Sequence, residues 1–248
     1  MATLTRTELL ADPAAGIAAF STRRGEGATA LDPYSGFNTC DYTGDSDTHV
    51  GECRQLLHAA VGAKRYAFPR QTHSVRVAVI GDGAIPDLDG VDALVTGCTD
   101  TALCIHTADC VPIVIADSRA GVIAAVHSGW RGTVGRIAAL TVEAMMRLGA
   151  NPADMRAAMG PCICEECFEV GPEVVEAFRC AGLGEAAVEG EAKPRISLPR
   201  AVALTLRSCG VSSIAMPPAC SLCNPLEYCS ARASGIASAR TVTVISRR

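Results

Sequence analysis

Residues 107–132, TADCVPIVIADSRAGVIAAVHSGWRG, constrain the fold more than any other stretch of the chain. Two apolar runs, 111–116 and 122–127, flank a short polar turn, and neither shows the in-out alternation of a strand with one wet face. A turn centred between Arg119 and Ala120 sets position 112 opposite His127. Cys110 shares the face of residue 112 by alternation and becomes a diagonal neighbour of His127, roughly 7–8 Å away between Cα atoms. A slip of one residue in register would put the two on opposite faces.

Around this hairpin, strand-like runs fall at 75–80, 91–96, 102–106 and 241–245, and helix-like windows at 47–61, 133–148, 172–182 and 199–208. Consecutive strands across 102–127 read as a hairpin, while strand-then-helix units lie on either side. That mixed order predicts an α+β, layered α/β arrangement in preference to a doubly wound sheet. One domain over residues 1–248 is expected, with the charged segment 184–198 as a flexible insertion because it lacks periodic apolar positions.

A hydrophobic share of 49% against 19% charge excludes a disordered chain, and no apolar run approaches the ~20 residues of a bilayer span. The opening MATLTRTELLADPAAGIAAF has early charges and no secretory h-region, which predicts a cytoplasmic protein without a membrane partner. A net charge of −4, no run of Lys or Arg and 4% aromatic residues argue against nucleic acid and favour a small-molecule substrate. Thirteen cysteines in such a chain read as reduced thiols, most of them packing residues, Cys98 and Cys104 among them. Three places stand apart: Cys110, the run holding Cys162, Cys164 and Cys167, and the pair Cys220 and Cys223. The spacing of that pair fits half a zinc site or a redox couple, although packing is the favoured reading.

His73, in Arg70-Gln71-Thr72-His73-Ser74, precedes an apolar strand, where functional groups often collect. His73, Cys110 and His127 form a soft-to-borderline donor set suited to zinc, and three protein ligands would leave one position open for water or substrate. No short C-x2-C or H-x3-H signature joins them. A single histidine at a strand end is more often hydrogen-bonded than metal-bound, so spacing alone leaves the structural role ahead.

The segments QTHS, TADCVPIVIAD and AVHSGWRGT resemble the laccase-domain family, also called multicopper polyphenol oxidase-like and associated with purine nucleoside phosphorylase and adenosine deaminase activity. The resemblance extends to Ser21-Thr22-Arg23-Arg24-Gly25, Phe37-Asn38, Gly44-Asp45, Glu52-Cys53-Arg54, Gly160-Pro161-Cys162-Ile163, Cys167-Phe168-Glu169-Val170, and the cysteine pair Cys220 and Cys223 followed by Tyr228-Cys229-Ser230-Ala231-Arg232. It implies an α/β/β/α sandwich of mixed sheets, metal ligands at His73, Cys110 and His127, and Asn38 and Arg54 among the substrate-binding residues. Glu26, Ala231 and Ser238-Ala239-Arg240 depart from the family pattern, all outside the three ligands.

The family's copper name conflicts with the histidine count: with two of five histidines at the His-Cys-His site, only three remain for a trinuclear copper cluster. Zinc, which can lower the pKa of bound water to about 7, suits attack on C6 of adenine. The deaminase signature H-x-E with P-C-x-x-C is absent, and Asp109 beside Cys110 is the candidate general acid or base. Phosphorolysis needs an anion site, for which Ser128-Gly129-Trp130-Arg131-Gly132-Thr133, leading into a helix, offers an N-terminus and a bidentate Arg131. The bland alternative is Thr133 as a plain cap with Arg131 solvated. The chain thus reads as a zinc-dependent purine nucleoside phosphorylase for adenosine, inosine and methylthioadenosine, with adenosine deaminase activity alongside. Two other classes stay open: a metal-free cysteine hydrolase or amidase using Cys110 and His127, and a non-enzymatic zinc or redox protein built on the cysteine clusters.

Overall fold

The computed structural model describes residues 3–29, 31–188 and 193–248. Its larger sheet is built on the sequence-predicted hairpin: β7 (Val111–Asp117) and β8 (Val122–Ser128) pair antiparallel, with Pro112 opposite His127 as the turn position requires. On one side of this hairpin lie β9 (Arg156–Met159) and β12 (Ser213–Ala215), and on the other β5 (Ala93–Thr96) and β4 (Val77–Ile80), in the order β12-β9-β7-β8-β5-β4. The second sheet contains β1 (Arg6–Asp12), β2 (Ile17–Thr22), β3 (Arg65–Ala67), β6 (Thr101–Thr107) and β13 (Thr241–Arg247), in the order β1-β2-β13-β6-β3. A two-stranded ribbon pairs β10 (Ala187–Val188) with β11 (Arg195–Ile196).

Six α-helices among the described residues flank the sheets: α1 (Asp47–Val61), α2 (Trp130–Val134), α3 (Ile137–Arg147), α4 (Pro172–Cys180), α5 (Leu198–Ser208) and α6 (Ala231–Ser234). Period-two alternation explains the layers. Ile113, Ile115, Ala124 and Val126 pack on Val142 and Met145 of α3, Phe178 of α4 and Leu206 of α5. Val114, Ala116, Ile123 and Ala125 turn the other way, onto Leu103, Ile105 and Ile245 of the second sheet. That sheet's outer face, with Phe20, Cys104, Val242 and Val244, is covered by Cys53, Leu57 and Val61 of α1. The result is the α/β/β/α sandwich, and the double cover accounts for the unbroken apolar runs.

Three expectations need correction. Strands across 102–127 do not form one hairpin: β6 and β7 lie in different sheets, and the crossing at Ala108-Asp109-Cys110 needs Asp109 in the left-handed region at φ 84°. The helix expected over 133–148 begins at Trp130 and breaks at Gly135-Arg136, where Arg136 takes φ 60° and a Cβ on Gly135 would meet Val75 at 2.5 Å. Segment 184–198 carries a short 3-10 turn, β10, β11 and the first residue of α5, apart from 189–192, which lie outside the described residues. Of the two cysteines expected to pack, Cys104 is buried, whereas Cys98 is half-buried; Cys162, from the run set apart in the sequence, is also buried. No helix among the described residues is long and apolar enough to cross a membrane.

Because Ile123 fills the space between the two sheets, Ile123→Ala should cost about 2–5 kcal/mol. Val79→Ala, at an exposed position of the edge strand β4, should stay within about 0.5 kcal/mol. Urea unfolding of both variants compares the two; equal losses would contradict the inter-sheet core.

Candidate metal centre

The crossing from β6 to β7 places Cys110 where three segments meet. His127 ends β8 beside it, and His73 approaches from the loop before β4. One ligand atom from each residue lies within 4.8 Å of the others. Cys110 Sγ is 3.7 Å from His73 Nε2, and the two imidazole rings meet edge to face at 4.8 Å between centroids.

Asp92 sets this geometry, and no sequence signal marked it. It heads β5, which pairs with β8 so that Ala93 faces Val126 and Asp92 reaches His127. Its side chain is fully buried, with Oδ1 2.6 Å from His127 Nδ1. A proton held on Nδ1 by Asp92 directs Nε2 of His127 to the centre, where it can bind a metal once its own proton has left. The same carboxylate accepts from the backbone N–H groups of Thr72, His73 and Ser74 at 3.1, 3.1 and 2.8 Å, which pins the loop carrying His73 in its left-handed conformation, φ 61°. One buried carboxylate therefore orients both histidines. Knowing in advance that β5 pairs with β8 would have exposed it; the local sequence GVDALVT does not.

The charges respond accordingly. Burial opposes ionisation of Cys110, but His127 and His73 outweigh it and bring the thiol down to about 6. Burial would lower His127, yet the Cys110 thiolate and Asp92 push it up to about 9. Burial would raise Asp92, and hydrogen bonds from His127 and Ser74 together with the His127 charge hold it below the usual carboxylate range. A ready thiolate and an imidazole oriented by a carboxylate are what a zinc site requires.

The dense Ser128-Gly129-Trp130-Arg131-Gly132 segment has a steric purpose. A Cβ on Gly129 would lie 2.8 Å from His73 Cδ2 and 3.0 Å from Cys110 Sγ. Only glycine lets the backbone pass so close to both His73 and Cys110.

The ligand atoms open into a cavity of about 430 Å3, within the range of small-molecule sites. Ala231, Ile236 and Ala237 give it an apolar wall, and Arg240 is the single Lys or Arg among its described lining residues. His106 also lines it. Its Nε2 lies 2.9 Å from Thr39 Oγ1, Gln71 clamps its backbone at both N–H and C=O, and its Nδ1 has no partner among the described residues.

Other sequence-predicted residues lie differently. Asp109 braces the fold: its carboxylate accepts from Ser221 Oγ and the Arg232 N–H, both at 2.7 Å, and it is not among the described residues that line the cavity. Asn38 is buried, donating to Asp45 and accepting from the N–H groups of Cys40 and Arg240, which makes it a brace for the Arg240 segment. Arg54 pairs with Asp41 and stacks on Phe68 in an adjoining cleft that shares Tyr42 and His106 with the cavity. Arg131 is exposed and stacks on Trp130, outside the cavity. Thr133 does not cap a helix start; its hydroxyl donates to Gly129 O within α2.

The family described as multi-copper polyphenol oxidoreductase laccase matches residues 17–248. The chain belongs to this family. An adenosine deaminase RL5 from an unknown prokaryotic organism is 46% identical to it, over 94% of this chain and 95% of that one. A purine nucleoside phosphorylase of Deinococcus radiodurans is 44% identical, over 82% and 79%. Among solved structures, YlmD from Geobacillus stearothermophilus superposes with a TM-score of 0.86 at 28% identity, covering 98% of this chain and 97% of that one. The Bacillus licheniformis protein YfiH also gives 0.86, at 26% identity over 94% and 93%. The laccase name notwithstanding, the remaining histidines of this family member are dispersed: His49 pairs with Asp45, His58 stacks on Tyr66 and His106 bonds Thr39, so none joins His73 and His127.

Two outcomes follow. Gly129→Ala should cost the protein about one equivalent of zinc by elemental analysis, with its circular dichroism preserved; unchanged zinc would contradict the steric role. Burial, helped by the Arg54 charge, pushes His106 from 6.5 down to about 3, so the unfolded chain takes up a proton that the folded one refuses. His106 therefore contributes stability that is complete above pH 6.5 and lost as pH falls toward 3. In His106→Gln, melting temperature should fall less steeply than in wild type between pH 6.5 and about 4, and parallel curves would contradict it.

Proposed function

We propose that this chain is a zinc-dependent purine nucleoside phosphorylase acting on adenosine, inosine and methylthioadenosine, with adenosine deaminase activity at the same cavity. The observation that carries this reading is the convergence of His73, Cys110 and His127 on the floor of a cavity with an apolar wall and one arginine. The names of relatives at 44–46% identity supply the substrate class.

His73, Cys110 and His127 would hold the ion through two imidazoles and a thiolate, a donor set that suits zinc better than calcium or magnesium. Bound there, zinc supplies Lewis acidity and water activation at near-neutral pH. Asp92 keeps the His127 tautomer and the His73 loop fixed. Ala231, Ile236 and Ala237 offer the base an apolar surface. Arg240 is the cation for phosphate. Its Nη1 donates to Ser238 and Ala239 and its Nη2 to Ile236, which leaves Nε–H and one Nη2–H as a side-on fork for two phosphate oxygens. Phosphorolysis then moves the ribose C1′ bond from the purine nitrogen to a phosphate oxygen, giving free base and ribose 1-phosphate; deamination exchanges the C6 amine of adenosine for water oxygen, releasing ammonia. A soluble, cytoplasmic nucleoside enzyme of one domain, without a nucleic-acid partner, fits this cavity.

The deciding experiment incubates the protein with adenosine, inosine or methylthioadenosine, with and without phosphate, and identifies products. Free base from inosine only when phosphate is present, and inosine from adenosine without it, is the expected pattern. Full activity after zinc is stripped, or untouched nucleosides, would favour a cysteine hydrolase instead. Arg240→Lys should raise the KM for phosphate by about tenfold while sparing deamination, since the planar fork is lost and water needs none. Equal loss of both activities would make Arg240 a brace of its loop only.

A further inference from the structure

Four cysteines that nucleoside chemistry does not use converge outside the cavity. Cys164-Glu165-Glu166-Cys167 follows β9, and Cys220-Ser221-Leu222-Cys223 precedes α6. Each is a C-x2-C step on a tight turn; in the first, the N–H groups of Cys167 and Phe168 both donate to Cys164 O, at 3.2 and 3.0 Å. Their four sulfurs all lie within 4.8 Å of one another, with Cys167 and Cys223 at 3.5 Å. A regular tetrahedron of thiolates at the Zn–S distance of 2.3 Å has edges of about 3.8 Å. The Cys164 N–H also donates to Cys220 Sγ at 3.3 Å, which favours charge on that sulfur.

Packing does not account for this arrangement. Cys162, two residues earlier, faces the apolar core, whereas Cys164, Cys167 and Cys220 are half-buried and Cys223 is exposed, with their sulfurs turned to each other. The two turns are already held in register without any metal: Cys162 N–H donates to Ala219 O, Ser221 N–H to Cys162 O, and Asn224 Nδ2 to Cys220 O.

We propose that Cys164, Cys167, Cys220 and Cys223 bind a second zinc ion, a structural one with all four positions filled by protein. Four sulfurs suit zinc, and a closed shell leaves no site for substrate. The ion would clamp the loop after β9 to the loop before α6. Both loops grip Asp109: Ile163 N–H donates to its carbonyl at 2.9 Å, and Ser221 and the Arg232 N–H hold its carboxylate. Asp109 directly precedes Cys110, so the closed site fixes the backbone that presents the thiolate to the open one.

The test uses full-length protein purified without chelator. Elemental analysis should give about two zinc ions per chain in wild type, about one in Cys110→Ala and about one in the double variant Cys167→Ser/Cys223→Ser. Because the double variant can misfold, a second measurement loads stripped Cys110→Ala with cobalt(II). An intense sulfur-to-cobalt charge-transfer band there, from a protein lacking the thiolate of the open site, is expected. Zinc content unchanged between wild type and the Cys167→Ser/Cys223→Ser variant, iron in place of zinc, or cobalt-loaded Cys110→Ala without the band would each overturn the proposal. Loss of zinc from the open site alone leaves the band in place, so this outcome is independent of the nucleoside reading.

Discussion

Asp92 is the group on which the site depends. A buried carboxylate is costly unless every lone pair is used, and here three backbone N–H groups and one imidazole use them. The compensation runs both ways. The carboxylate stays ionised because His127 and the loop satisfy it, and the loop keeps His73 at φ 61° because the carboxylate is there. Such a left-handed residue costs energy unless its surroundings determine it, and it is common at functional sites.

The fold supplies the rest by bringing three unrelated strand ends together. β8 contributes His127, the crossing between sheets contributes Cys110, and the loop entering β4 contributes His73. None of these is near another in sequence. The sandwich makes the centre rigid because β7 and β8 are packed on both faces, so the ligands sit at the ends of strands with little room to move. Gly129 completes the fit by leaving space at the closest approach.

Legibility in the sequence followed the range of the interactions. The β7–β8 register was readable because a tight turn and two apolar runs are local, and with it the proximity of Cys110 and His127. The layered class was readable from the mixed order of strand-like and helix-like segments. Asp92 was not, since its role exists only through the pairing of β5 with β8, and the bonds that hold Asp109 were hidden because its partners, Ser221 and Arg232, lie far along the chain. Arg131 looked like a phosphate ligand on helix-start grounds, but the helix begins at Trp130 and turns it onto an aromatic ring. The short strands β3, β9 and β12, of three or four residues, carry too little pattern to be seen without their neighbours.

The central claim is that a carboxylate-oriented metal centre performs the nucleoside chemistry. Asp92→Asn tests it most directly: chelator-stripped protein is titrated with zinc while base release from inosine in phosphate is followed. The zinc concentration that restores half of the turnover should rise about 10–100-fold over wild type, with turnover recovered at saturating zinc. Half-restoration at the wild-type zinc concentration, or turnover in the stripped protein that needs no zinc, would contradict the account.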